Sequence, residues 1–296
     1  MSKKVIAIIG PTGMGKTDLA LELFKQYHLP VISVDAFQIY IEMNIGVNKP
    51  QPQAIAGIPY YGINLVHVND SYSIYDFQKY ARELINNSPT PVILVGGSML
   101  YLDSVIYDYT LPADFDNSNH YEGHTDIEIY QELLVLDPIA CQKIDPNNRK
   151  RLITALNYYL QYHQSIFTNN NKEVLYYDAL FIYLKPENKD ELNQKNALRI
   201  QHMFAQGWKQ EVALILHDYP SFITYNAAKA IGYSEIAACI MNGTDDVDVE
   251  KIEHRTNLYV KHQLSWYKRY EDHCLIIHAP SEFIKIKHQV DQFLHD

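Results

Sequence analysis

"VIAIIGPTGMGKTDLALELFKQY", residues 5–27, decides how the rest of the chain is read. Val5–Ile9 is a continuous apolar run, the pattern of a strand buried on both faces. Gly10, Pro11, Thr12, Gly13, Met14, Gly15, Lys16 and Thr17 follow it in the order G-x-x-x-x-G-K-T. Apolar residues at helical spacing then run to Tyr27. A glycine-rich turn between a strand and a helix aims backbone N–H groups and the helix N-terminus at one anion. Lys16 adds a point charge, and the Thr17 hydroxyl is a ligand for Mg²⁺. These residues predict a phosphate-binding loop. They leave open which phosphate it holds.

Outward from the loop, strands and helices alternate. "VISVD" (31–35), "PVILVGG" (91–97), "ALFIYLK" (179–185) and "CLIIH" (274–278) read as core strands. "SIYDFQKYARELI" (73–85) reads as a helix capped by Ser73, and "SEFIKIKHQVDQFL" (281–294) as a closing helix. The expected fold is α/β: a P-loop NTPase-like parallel sheet flanked by helices. Residues 110–126 are polar, with Pro and Gly, and read as an exposed excursion. From 190 to about 245 the signals are helical only, and 248–270 reads as one long helix. The expected division is a core domain of 1–189 and 248–296 carrying a helical insert of 190–247.

The 296 residues suffice for one large core with an insert, and 47% hydrophobic with 20% charged residues is a globular balance. No stretch approaches the roughly eighteen apolar residues of a membrane helix. "MSKK" runs straight into the first strand without a cleavable signal. Cys141, Cys239 and Cys274 have neither zinc nor disulfide spacing and read as buried thiols, which suits a cytoplasmic protein. A net charge of −10 argues against a protein that coats nucleic acid but leaves room for a local basic groove. "NNRKR" (147–151) and "KHQLSWYKR" (261–269) are the basic clusters, each equally readable as a solvated helix face.

Asp35 ends the second strand, where open parallel sheets place their ligand crevice. It could take a proton, hold a metal or cap a turn. Gln38 follows as a candidate for orienting a substrate. Gly96 and Gly97 would let a ligand approach the backbone, with the Ser98 hydroxyl beside them. Arg149 and Arg151 lie near a helix start, and Gly232, within "AIGYSE", marks a turn or a contact.

Taken in order, the loop, "SVDAFQIYIEMNIGVNKP", "GIPYYGINL", "YSIYDF", "VGGSMLY", "DPNNRKRLITAL", "AIGYSE" and "KHQLSWYKR" resemble the tRNA dimethylallyltransferase (isopentenyltransferase) family, as a divergent bacterial-type member. The resemblance spans about residues 5–278. It implies transfer of a dimethylallyl group from dimethylallyl diphosphate to N6 of the adenosine just 3′ of the anticodon of tRNA. The loop would then hold the donor's diphosphate, with Mg²⁺ on Thr17, and Asp35 would be the general base. Asp35, Ala36, Phe37, Gln38, Ser98, Arg149, Arg151, Gly232 and Tyr233 match segments that meet tRNA, and the helical insert would contribute to its binding. A monomer without a C-terminal zinc-finger extension is expected.

The chain departs from the family pattern at several places. Ala36–Phe37 stands where the family has Ser-Arg, Asn148 where it has Asp, and Thr154 and Asn157 where it has Arg and Glu. Its Asp-Arg pair, whose Arg serves the diphosphate, aligns with Asn188–Lys189, so Lys189 is the expected substitute. Two other readings stay open. One is an enzyme of the same fold with a smaller acceptor, an adenine-nucleotide prenyltransferase or a P-loop nucleotide kinase that binds ATP. The other is a paralogue that binds RNA or protein without catalysis.

Overall fold

A computed structural model describes residues 3–113, 115–116, 118–168, 170–278 and 282–296. Met1 and Ser2, Asp114 and Asn117 of the polar excursion, and Ser281, the expected start of the closing helix, lie outside the described residues. The strands are β1 (Lys4–Ile9), β2 (Val31–Ser33), β3 (Tyr60–Tyr61), β4 (Val92–Val95), β5 (Tyr107–Tyr109), β6 (Asn170–Leu175), β7 (Asp178–Leu184) and β8 (Cys274–Ile277). The helices are α1 (Lys16–Tyr27), α2 (Ile74–Asn87), α3 (Met99–Ile106), α4 (Asp126–Leu136), α5 (Pro138–Cys141), α6 (Arg149–Tyr162), α7 (Lys189–Ala205), α8 (Trp208–Asp218), α9 (Tyr233–Met241), α10 (Val249–Tyr267) and α11 (Phe283–His295).

Six strands form one sheet in the order β3-β2-β4-β1-β7-β8. Every pairing in it is parallel, with Ile6 of β1 opposite Ile93 of β4 and Leu180 of β7. Successive side chains of a strand point to opposite faces, so a strand covered on both sides must be apolar throughout. β1 shows this: Val5, Ala7 and Ile9 enter one apolar cluster, and Ile6 and Ile8 the other. The first cluster is closed by Phe77 and Ala81 of α2, Leu102 and Val105 of α3, and Ile252 and Tyr267 of α10. The second is closed by Leu19 and Leu23 of α1 and Ile286 and Val290 of α11.

The helices of 190–247 share the first cluster with the sheet through Ile200, Met203, Trp208, Val212 and Tyr233. A third cluster takes no residue from the large sheet. It is formed by Tyr121, Ile129, Leu133, Ile144, Leu152 and Leu156 among others, from α4, α6 and the chain near them. β5 and β6 pair antiparallel on either side of it in sequence, Tyr109 opposite Asn170.

Local signals set the helix starts. Ser73 accepts the Asp76 N–H and the Asp76 carboxylate accepts the Ser73 N–H, a reciprocal cap on α2. Thr125 and Glu128 do the same for α4. Asn148 caps α6, its side chain accepting the Arg151 N–H. The expectation of three buried thiols is corrected at Cys274, which is half-buried, whereas Cys141 and Cys239 are buried; all three are free.

Candidate active site

β2, β4 and β1 are neighbours in a parallel sheet, so their C-terminal ends open on the same edge. The loop leaves β1, Asp35 follows β2, and Gly96–Ser98 follows β4. The topology therefore gathers three segments that are far apart in sequence. They line one cavity of about 920 Å³, to which Thr12, Gly13, Gly15, Lys16, Thr17, Asp35, Phe37, Gln38 and Ser98 all contribute. A volume of that order lies within the range of small-molecule sites.

The loop has its shape because three of its glycines adopt positive φ, Gly10 at 146°. Gly13 has φ 91° and Gly15 φ 76°. A Cβ on Gly13 would also sit 2.5 Å from Asn196 Oδ1 of α7. Lys16 Nζ donates to the Pro11 carbonyl at 2.9 Å, folding the ammonium back over its own loop. Gly10, Pro11 and Met14 belong to the loop without lining the cavity, as Ala36 does beside Asp35.

Asp35 is fixed by its neighbours. Its Oδ1 accepts the Phe37 N–H at 2.9 Å and the Gln38 N–H at 3.3 Å, so the carboxylate does cap a turn. Ser98 Oγ accepts the Ala36 N–H at 2.9 Å, tying the end of β4 to the end of β2. Burial raises the Asp35 carboxyl above its ordinary value, opposed by those two N–H bonds and by Lys16. Burial lowers the Lys16 ammonium to about 7, with the Arg199 charge acting in the same direction and Asp35 against it.

Arg199 escaped the sequence reading. It lines the cavity from α7, burial lowers its guanidinium to about 10, and its buried Nε has no hydrogen-bond partner among the described residues. Lys195, Leu198, Arg199, Ile200, His202 and Met203 of α7 line the cavity with Gln206 just past its end, and Lys195, Arg199 and His202 follow at spacings of four and three residues, one stripe of the helix. That spacing of Lys195, Arg199 and His202 was the available signal. Lys189, the expected diphosphate ligand, opens α7 at an exposed position off this stripe and does not line the cavity.

Other expected contacts also fall elsewhere. Arg149 is held by Asp126 Oδ1 at 2.8 Å and by the His124 and Tyr121 carbonyls at 2.8 and 2.7 Å. It fastens α6 to α4, away from the cavity, and Arg151 lies exposed on the same helix. Tyr233 is fully buried and its hydroxyl donates to Glu211 Oε1 at 2.6 Å. Gly232 has φ 92°, and a Cβ there would lie 2.1 Å from the Trp208 ring. Both pack against the interior, and no surface of Tyr233 is exposed. Gln38 lines the cavity, but its amide is committed: it accepts from Ser33 Oγ at 2.8 Å and donates to the Val47 and Asn48 carbonyls at 3.2 Å. The close approach at Gly96 is made by the Val34 carbonyl, 2.0 Å from where a Cβ would stand.

Charge in the cavity differs from charge overall. Lys16, Lys49, Lys195, Arg199 and Lys229 line it against two carboxylates, Asp18 and Asp35. Lys16 and Arg199 are desolvated there, whereas Lys195 and Lys229 are exposed, and an excess of cations over carboxylates favours an anion.

A glycine-rich loop at the end of the first strand of a parallel sheet, with Arg199 and a desolvated carboxylate lining the same cavity, is the arrangement of an α/β protein with a P-loop-like fold. Residues 38–270 match the IPP transferase family. A tRNA dimethylallyltransferase of Malacoplasma penetrans is 35% identical over 273 residues, covering 90% of each chain. One of Staphylococcus haemolyticus is 33% identical, over 89% of this chain and 83% of that protein. Among solved structures, the full-length tRNA isopentenylpyrophosphate transferase of Bacillus halodurans superposes with a TM-score of 0.71 at 26% identity, over 99% of this chain and 97% of that one. A eukaryotic dimethylallyltransferase acting on tRNA gives 0.76 at 27% identity, over 90% and 70%. The chain belongs to the IPP transferase family.

Proposed function

We propose that the chain transfers a dimethylallyl group from dimethylallyl diphosphate to N6 of the adenosine 3′ of a tRNA anticodon. The observation that carries this is the joint presence of Lys16, Arg199 and Asp35 on the lining of one cavity. The proteins similar to it act on tRNA by name, which favours this acceptor over a free nucleotide and prenyl transfer over phosphoryl transfer.

The donor's diphosphate lies on the loop amides, with Lys16 and Arg199 on its oxygens. The allylic C1–O bond breaks, its electron pair passes to the diphosphate, and the two cations stabilise the charge that develops. The adenine leaves its stack and presents N6 to C1. As the N–C bond forms, the N6 proton moves to Asp35, whose raised affinity for a proton suits a base. The Thr17 hydroxyl is a hard oxygen on the cavity wall, fit to hold Mg²⁺ together with diphosphate oxygens; the ion would supply further positive charge at the leaving group. Lys195, His202 and Lys229 come from the 190–247 segment and line the same cavity, which supports a contact between that segment and the RNA backbone.

The test is nucleoside analysis of tRNA from a deletion strain carrying the gene or Asp35→Asn. The wild-type chain should restore N6-dimethylallyladenosine. With purified protein, Asp35→Asn should lower turnover roughly a hundredfold or more while donor binding survives. Unmodified tRNA with the wild-type chain, or full turnover by Asp35→Asn, would refute the reading.

A further inference from the structure

Gln263 of α10 does not line the cavity, yet its side chain is fully buried and touches two segments that do. Its Oε1 accepts the Thr12 N–H of the phosphate loop at 3.0 Å. Its Nε2 donates to the Gly97 carbonyl at 2.9 Å. The partners fix the amide orientation, since a backbone N–H only donates and a carbonyl only accepts. The Tyr259 hydroxyl donates to the same Gly97 oxygen at 2.9 Å. The next residue, Ser98, accepts the Ala36 N–H, and Ala36 adjoins Asp35. A continuous set of bonds thus runs from the loop through Gln263, Gly97 and Ser98 to the turn that carries the carboxylate.

We propose that Gln263 is a positioning residue that sets the distance between the donor's diphosphate and the base by joining the loop to the Gly97–Ser98 turn. Thr12 is held from the other side as well, its carbonyl accepting from Asn196 Nδ2 of α7 at 3.3 Å. The loop can therefore keep its anion-binding shape without Gln263, while its placement relative to Asp35 loosens. Displacement of reacting groups by about 1 Å costs on the order of a hundredfold in rate without a matching loss of binding.

The kinetic part of this proposal rests on the prenyl-transfer reading; the hydrogen-bonded link does not. Three measurements separate them. Gln263→Met should lower kcat roughly thirtyfold or more, leave the donor KM within about threefold, and keep the thermal unfolding cooperative. Hydrogen exchange over residues 10–17 should quicken in the variant. In a double-mutant cycle with Ser98→Ala, the combined loss should be smaller than the product of the single losses, as for groups acting in series. If Gln263→Met does not fold, Gln263→Asn keeps the amide but is too short to span both partners, and should show the same split. Unchanged kcat, a loss that merely tracks the folded fraction, or independent effects in the cycle would overturn the proposal. An inactive wild-type chain would instead refute prenyl transfer, and the exchange measurement would still decide whether Gln263 holds the loop.

Discussion

Lys16 and Arg199 are charged groups taken out of water at one cavity, and each has a measurable consequence. Arg199→Ala should weaken donor binding about tenfold to a hundredfold, the scale of a hydrogen bond to a charged group, while Lys189→Ala leaves it unchanged. Isothermal titration with dimethylallyl diphosphate checks both. For Lys16 the sign follows from linkage. Its folded value, about 7, lies below the ordinary 10.5, so between the two the unfolded chain binds more protons and stability rises with pH. The cost of the buried charge is full below pH 7. Lys16→Met should therefore raise the Tm of the free protein at pH 6, with a gain that shrinks toward pH 10, while donor binding is lost. With Asp35 as the proposed base, the rate rises with pH as well. A base must be ionised, and burial raises this carboxyl, so kcat should fall with decreasing pH earlier than for an ordinary carboxylate. The residual activity of Asp35→Asn should lack that limb of the profile.

The helix α10 carries Gln263 and Tyr259, and its far end is anchored by a carboxylate that the sequence did not reveal. Asp103 lies within the apolar run of α3 and is fully buried. Arg269 pairs with it at 2.7 Å, Trp266 Nε1 donates at 3.1 Å, and the Tyr270 hydroxyl donates to its other oxygen. Asp103→Ala strands these donors. Arg269 keeps 35% of its side-chain surface, which softens the loss below that of a fully enclosed pair. A cost of roughly 3 kcal/mol, or a fall in Tm of roughly 5–10 °C by calorimetry, is expected. Elements with local signals were legible: α2 from Ser73, α6 from its basic start, β1 and β4 from their apolar runs. Elements made by distant pairing were not. β3 has only Tyr60 and Tyr61, and β5 and β6 meet across more than sixty residues of chain, with no periodicity to mark either.

At the scale of the molecule, a chain of net charge −10 presents a cavity with five cations and two carboxylates. tRNA should therefore bind through few phosphate contacts, with a shallow dependence of log K on log salt. Replacing Lys195 or Lys229 by Ala should lower that slope by a further 0.7–0.9 or so for each contact removed. Filter binding across a salt series measures it; a steep slope untouched by either change would place the RNA elsewhere on the surface. Among the described residues no helix is long and apolar enough to cross a membrane.

The sequence by itself determined the phosphate loop, the parallel α/β sheet and the family, because each is written in contiguous or ordered residues: a glycine pattern, apolar runs and a series of short motifs. It also marked Asp35, since the C-terminal end of a parallel strand is a place that local pattern can identify. Only the tertiary structure decided which side chains meet there. It set Arg199 on the cavity and Lys189 off it, held Arg149 to Asp126, buried Tyr233, and engaged the Gln38 amide with Ser33 and backbone. The reason is geometric. A helix presents one stripe to a cavity, and which stripe it presents is fixed by packing against strands and helices far away in the chain, not by the residues of the helix alone.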